Sequence, residues 1–226
     1  MNDTAANRSP ISDRSGVTDA VRVQILATEH WNLLATRSMT WNEIFSRASM
    51  FITLLSAAVV ALALVAQATG FGPGFRLIAL LLLPVVLLMG LATVIRLGEA
   101  NSEDFRLVVG MNRLRHAYLE LVPELEPYFT TGQYDDLAGI LESLGMGTRL
   151  SPLRVFGGTP SIVAAINVVV AGIIGALTGQ ALGAPDSANI VIGIIAALAT
   201  AGGHGLMAFN SIRRGQLEHR PRFPRE

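Results

Sequence analysis

Four apolar stretches, at residues 49–69, 77–97, 161–182 and 190–210, constrain this chain more than anything else in it. Each is long enough to cross a hydrocarbon core of about 30 Å as a helix, which takes ~20 residues. The expected fold class is therefore all-α, a polytopic membrane protein with four transmembrane helices arranged as two hairpins and a cytoplasmic helical region. The lipid bilayer is the first partner this implies.

Composition agrees and excludes several alternatives. The chain is 51% hydrophobic and 15% charged, with a formal net charge of zero. Charge balance thus points to no nucleic-acid partner. There is no cysteine, which removes disulfides, thiolate metal sites and cysteine nucleophiles together. The opening MNDTAANRSPISDRSG is polar and lacks the apolar core of a signal peptide; its composition suggests a disordered arm.

Arginine placement sets the expected orientation. All 17 basic residues are arginine. The turn between the first two stretches holds one, Arg76, and the turn between the last two holds none but carries Asp186. Nearly all the rest flank the opposite ends. By the positive-inside rule both termini and the central segment are expected to be cytoplasmic. The tail RRGQLEHRPRFPRE adds five arginines beside the last stretch, read as a topology anchor able to touch anionic lipid.

The chain divides, on this reading, into an arm at 1–17, a cytoplasmic amphipathic helix at 18–48 and a first hairpin at 49–98. A cytoplasmic helical segment and loop follow at 99–160, then a second hairpin at 161–210 and a basic tail at 211–226. In the first helix Val23, Leu26, His30, Leu33 and Leu34 fall at helical spacing. Thr40 to Glu43, TWNE, fits a capping box and predicts a fresh helix start. Trp41 and Phe45 then suit a membrane interface. Beyond the second stretch no proline occurs until Pro123, and Leu107, Met111, Leu114, Tyr118 and Leu121 form a short heptad-like seam. Its expected partner is the N-terminal helix of the same chain, with a second subunit as the alternative. Pro84 is expected to bend the second span. The acids Glu124, Glu126, Asp135 and Asp136, with Tyr128 and Tyr134 between them, read as an acidic surface loop before a short helix at 137–144. Gly157, Gly158 and Pro160 mark the return to the membrane.

The second hairpin is rich in glycine and alanine. Ala171, Gly175 and Gly179 are four apart, as are Gly193, Ala197, Ala201 and Gly205, a spacing that lets helix backbones approach closely, so these two spans are expected to pack on each other or across a subunit interface. QATG at 67–70 is echoed by QALG at 180–183. The candidate polar site inside the membrane is His204, in GGHG, with Asn167 and Asn210 as candidate partners. An ionisable group there is a functional hypothesis by default, set against a neutral imidazole that bonds a neighbouring helix. No serine elbow, HExxH or phosphate loop is present, so no catalytic, cofactor or metal residues are assigned and the chain is read as non-enzymatic.

The blocks LATRSMTWNEIFSRASMFITLLSAAVVALALVAQATGFG and RLGEANSEDFRLVVGMNRLRHAYLELVPELEPYF, with the closing RPRFPR, resemble a family of bacterial four-span membrane proteins of no established activity. The first half, a cytoplasmic helix with two spans and a helical extension, is similar to the two-span SLATT modules. That similarity implies a membrane effector in bacterial conflict systems and transfers no residue. Two function classes follow. One is a homo-oligomer, channel-like or effector, with the cytoplasmic helices as gate or sensor. The other is a non-conducting scaffold or accessory subunit that presents those helices to a partner.

Overall fold

The computed structural model describes residues 17–145 and 158–225, and its regular elements there are all helical, with no strand among the described residues. Among the described residues five α-helices run in order: α1 (Asp19–Thr69), α2 (Pro73–Leu121), α3 (Leu137–Ser143), α4 (Thr159–Ala181) and α5 (Asp186–Glu218). A 3-10 turn (Pro123–Tyr128) lies between α2 and α3. α1, α2, α4 and α5 each contain a segment long and apolar enough to cross a membrane. The arm expected at 1–17 lies, apart from Val17, outside the described residues, as does Gly157.

The helix ends follow from local chemistry. α1 stops where Gly70 takes φ 64°, and Pro73 opens α2, where its missing N–H costs nothing. α4 stops in the same manner at Gly183, φ 78°. There the Ala184 N–H donates to the Gly179 carbonyl at 3.1 Å and the Gly183 N–H to that of Gln180 at 3.2 Å, the Schellman pattern. The echo of QATG in QALG thus coincides with two helix stops that each need a glycine at positive φ. α2 ends two residues before Pro123, as expected, and Pro84 sits within it.

One expected boundary is absent. TWNE does not start a helix: Thr40 lies in mid-α1, 6% exposed. A cap needs backbone N–H groups with no intrahelical partner, and here the turns on both sides are helical. The buried stripe also runs on without a break, through Thr40, Ile44, Ala48, Phe51 and Ala58. Val23 and Leu34 face outward, while Leu26, His30 and Leu33 are half-buried, so the amphipathic stripe is narrower than expected.

The chain forms two compact units. Among the described residues one, here the hairpin unit, comprises 38–105 and 158–220; the other, the clasp unit, comprises 17–37, 106–145 and 221–225. The core of the hairpin unit joins three helices. Ile44, Phe51 and Ala58 of α1 meet Val86, Leu97 and Ala100 of α2 and Val163 of α4. A second cluster of Ala79, Leu83 and Val170 extends it. Arg76 reaches from α2 to donate to the Gln180 carbonyl at 2.8 Å, placing a cation at the C-terminus of α4.

α5 packs on α4 through small residues. A Cβ on Gly175 would lie 2.8 Å from Ala196 Cβ and 3.0 Å from the Ile192 carbonyl oxygen; one on Gly193 would lie 2.9 Å from the Gly172 carbonyl oxygen. Gly179 is closed by Asn189 Oδ1 at 2.6 Å, and Gly172 faces Ala197. Gly175, Gly179, Gly193 and Ala197 are in the seam as expected. Ala201 and Gly205 are not: both are exposed, and nothing lies within 4 Å of Gly205's Cβ position. Each step of four residues overshoots a helical turn by about 40°, so a strict four-spacing from Gly193 walks off the contact face. The face continues instead toward Thr200 and His204, both half-buried. On α4, Ala171 is buried, but its neighbour Gly172 makes the approach to α5.

Gly193→Leu should therefore separate the α4–α5 backbones and cost upwards of about 1–3 kcal/mol. Val85→Leu, at a position 52% exposed on α2, should leave stability unchanged. Thermal unfolding in detergent compares the two, and equal melting would refute the close-packed seam.

Candidate functional site

Two polar centres stand out, one in each unit. In the hairpin unit Asn167 of α4 is fully buried, and its Nδ2 lies 3.5 Å from His204 Nε2 of α5. Nδ2 is a donor, so a hydrogen bond across this contact has Nε2 as its acceptor. That contact is at the long limit of a hydrogen bond. Among the described residues neither Asn167 Oδ1 nor His204 Nδ1 has a hydrogen-bond partner. Asn167 instead packs on the bare backbone of α2: a Cβ at Gly90 would overlap Oδ1 and would lie 2.9 Å from Phe51 Cε2. Of the three candidates, the structure brings His204 and Asn167 together. Asn210 is exposed; six residues beyond His204, it lies about 120° around α5, on another face. Gly90 was not singled out from sequence, although a lone glycine in a leucine-rich helix is a recognised sign of close approach.

At the open end of the same unit, Glu43 ties α1 to α2. Its Oε1 accepts from Arg96 Nε and from Arg47 Nε, each at 2.8 Å, and its Oε2 accepts from Arg96 Nη2 at 3.1 Å. The bonds from Arg96, then Arg47, hold the Glu43 carboxyl at about 2. Trp41 Nε1 donates to Asp104 Oδ1 at 3.1 Å, and the Trp41 ring meets Phe45 at 5.8 Å.

The clasp unit is built around a loop expected to be a solvated acidic surface. Glu124 and Glu126 are exposed, but Asp135 is wholly buried, which corrects that reading. Its carboxylate accepts from Arg113 Nε at 2.7 Å, from the Phe223 N–H at 2.8 Å and from the Arg222 N–H at 2.9 and 3.0 Å. Its own N–H donates to the Phe223 carbonyl at 3.2 Å. Burial alone would raise the Asp135 carboxyl; the N–H donors of Arg222 and Phe223 and the Arg113 guanidinium outweigh it and hold the group below the usual range. Asp136 caps α3 by accepting the Gly139 N–H at 2.7 Å, and its other oxygen accepts the Arg225 N–H at 3.0 Å.

Asn112, fully buried on α2, braces the loop. Its Nδ2 donates to the Tyr134 carbonyl at 2.7 Å, while Oδ1 accepts from Ser143 Oγ at 2.7 Å and Arg115 Nη1 at 2.8 Å. Gly132 and Gly139 allow the loop to close on itself, since a Cβ on either would overlap a backbone carbonyl. Phe223 lies against His116 with ring centroids 4.4 Å apart, Arg225 stands 5.3 Å over the Tyr134 ring, and its guanidinium pairs with Glu142. The end of the basic tail is therefore folded onto this unit. Beside this, His30 of α1 stacks on Tyr118 of α2 at 6.0 Å and Leu33 meets Gly110, so the α2 extension packs on the N-terminal helix as expected. Among the described residues no three His, Asp or Glu side chains converge as metal ligands.

Nothing in the order of residues announced this centre, because Asp135 and Phe223 are far apart in the chain. The one available signal was the unusual tail PRFPR, with an aromatic between prolines. Comparison of the chain with protein-family models, curated proteins and solved structures finds no match.

Gly90→Ala should destabilise the hairpin unit by about 1–3 kcal/mol. Adding Asn167→Ala should recover much of that loss, because the clash is pairwise. A double-mutant cycle on thermal unfolding measures the coupling, and purely additive losses would refute the contact.

The clasp unit should also respond to mild acid. Burial, then the positive Arg115, lowers the His30 pKa from 6.5. Its contribution to stability is fully present above 6.5 and is lost as the pH falls from there through the lowered folded value. His30→Gln should flatten the stability profile between about pH 7 and 5, read by hydrogen exchange across the α2 extension.

Proposed function

We propose that this chain is a non-enzymatic integral membrane protein, a non-conducting scaffold or accessory subunit that holds a folded helical unit at the cytoplasmic face. The observation that carries the reading is the contrast between the two polar centres. Within the spans, Asn167 is fully buried and pressed against Gly90 rather than open to a water-filled path. Outside them, the carboxylates, arginines and aromatics of the clasp are bonded into a specific arrangement. The large exposed side chains along the spans, such as Leu81, Leu88, Ile194, Leu198 and Leu206, are apolar and suit lipid. Arginine placement supports cytoplasmic termini, and the resemblance to a bacterial family supports the inner membrane of a bacterium.

A second reading, a homo-oligomeric channel or effector gated by the clasp unit, is favoured by one feature. α5 carries Gly202, Gly203 and Gly205 around His204, and nothing lies within 4 Å of their Cβ positions. Close approach of another helix there would bring a second copy beside His204.

Two measurements test these readings. Cysteines at Gly72 and Ser187 should react with membrane-impermeant reagents from outside intact cells, while cysteines at Glu124 and Ser211 should not. External labelling of Glu124→Cys would reverse the orientation. Purified protein in liposomes should carry no ion flux between pH 5 and 8. A flux abolished by His204→Ala, with assembly intact by native mass spectrometry, would instead establish the channel.

A further inference from the structure

The tail that closes the clasp unit is matched to its seat donor by donor. Between Pro221 and Arg225 the backbone has three N–H groups, those of Arg222, Phe223 and Arg225, since both prolines lack one. All three donate to carboxylates: Arg222 and Phe223 to Asp135, Arg225 to Asp136. The prolines fall where no acceptor is needed, and each favours extended backbone without internal hydrogen bonds. The Phe223 carbonyl is also used, by the Asp135 N–H. Two side chains are read as well, Phe223 by the His116 ring and Arg225 by Glu142 and the Tyr134 face. Arg222 is exposed and is held through its backbone.

We propose that this seat is a peptide-recognition groove and that the tail is its tethered occupant. The groove's ligand class is an extended segment carrying an aromatic residue followed by Pro-Arg, with two consecutive N–H groups for Asp135. The seat itself belongs to the folded loop: Asn112 and the two loop glycines brace it, and Asp136 caps α3, without help from the tail. A segment of the same chemistry from a partner protein binds by displacing the tail. The tail, held at the high effective concentration of a short tether, sets the threshold for that exchange. The inference goes beyond the scaffold reading and holds whether or not the spans conduct.

The test uses the full chain in lipid nanodiscs, with a protease site inserted between Arg220 and Pro221 and cut after folding. A fluorescein-labelled peptide RPRFPRE is titrated and followed by anisotropy. It should bind the cut protein saturably and the uncut protein at least about tenfold more weakly. N-methylation of the peptide's phenylalanine should weaken binding on the order of tenfold or more, because it removes a charge-assisted bond to Asp135. Alanine in place of the arginine before that phenylalanine should bind nearly as well as the parent. Asp135→Asn in the protein should weaken binding similarly, and the N-methyl peptide carries the test if that variant fails to fold. Equal binding of parent and N-methyl peptides would overturn the proposal. So would a cut tail that excess peptide cannot displace, or no binding by a vacated protein that still melts cooperatively.

Discussion

Helices as long as α1 and α2 satisfy their backbone internally over most of their length, Pro84 in α2 aside, and that constraint shapes everything else in this protein. With amides and carbonyls already paired, side chains alone are left to choose neighbours. Among apolar segments in an apolar medium, the choice falls to fit rather than to exclusion of water. Gly172, Gly175, Gly179 and Gly193 supply that fit for the second hairpin by bringing two backbones into contact. The same logic at a single point lets Asn167 lie on Gly90, so that α4 meets α2 through one polar side chain against one missing one.

The two polar centres illustrate opposite uses of burial. At Asp135 a buried charge is surrounded by donors from the Arg113 side chain and the tail backbone, so its desolvation is offset by strong bonds. At Asn167 and His204 one long contact is made and one atom of each side chain is left without a partner. A centre of the first kind specifies a conformation of the chain, here the course of the tail. A centre of the second kind contributes little net stability, because its unpaired buried atoms are costly.

Several features were legible in the sequence because they depend on residues close together in the chain. The four apolar stretches, the uninterrupted extension of α2 to Leu121, the short helix after Asp136 and the glycine-terminated turns all appear where expected. The small-residue seam was half legible. The residue types were right, but the exact face depends on where a 3.6-residue period places each one, and Ala201 and Gly205 rotate away while Gly172 rotates in. TWNE misled because a local capping pattern is overridden when the buried stripe on both sides is continuous.

By itself, then, the amino-acid sequence determined the solvent of the chain and where most of its helices stop, since apolar run length, proline and positive-φ glycine act within a turn or two of where they stand. Only the tertiary structure decided which polar residues matter. Asp135 reads as one more acid in a hydrophilic loop until the tail returns to it, and Gly90 as one more residue in an apolar run until Asn167 lies on it. Both are long-range encounters. Their energetics depend on burial and on donors from distant segments, quantities that no stretch of neighbouring residues carries.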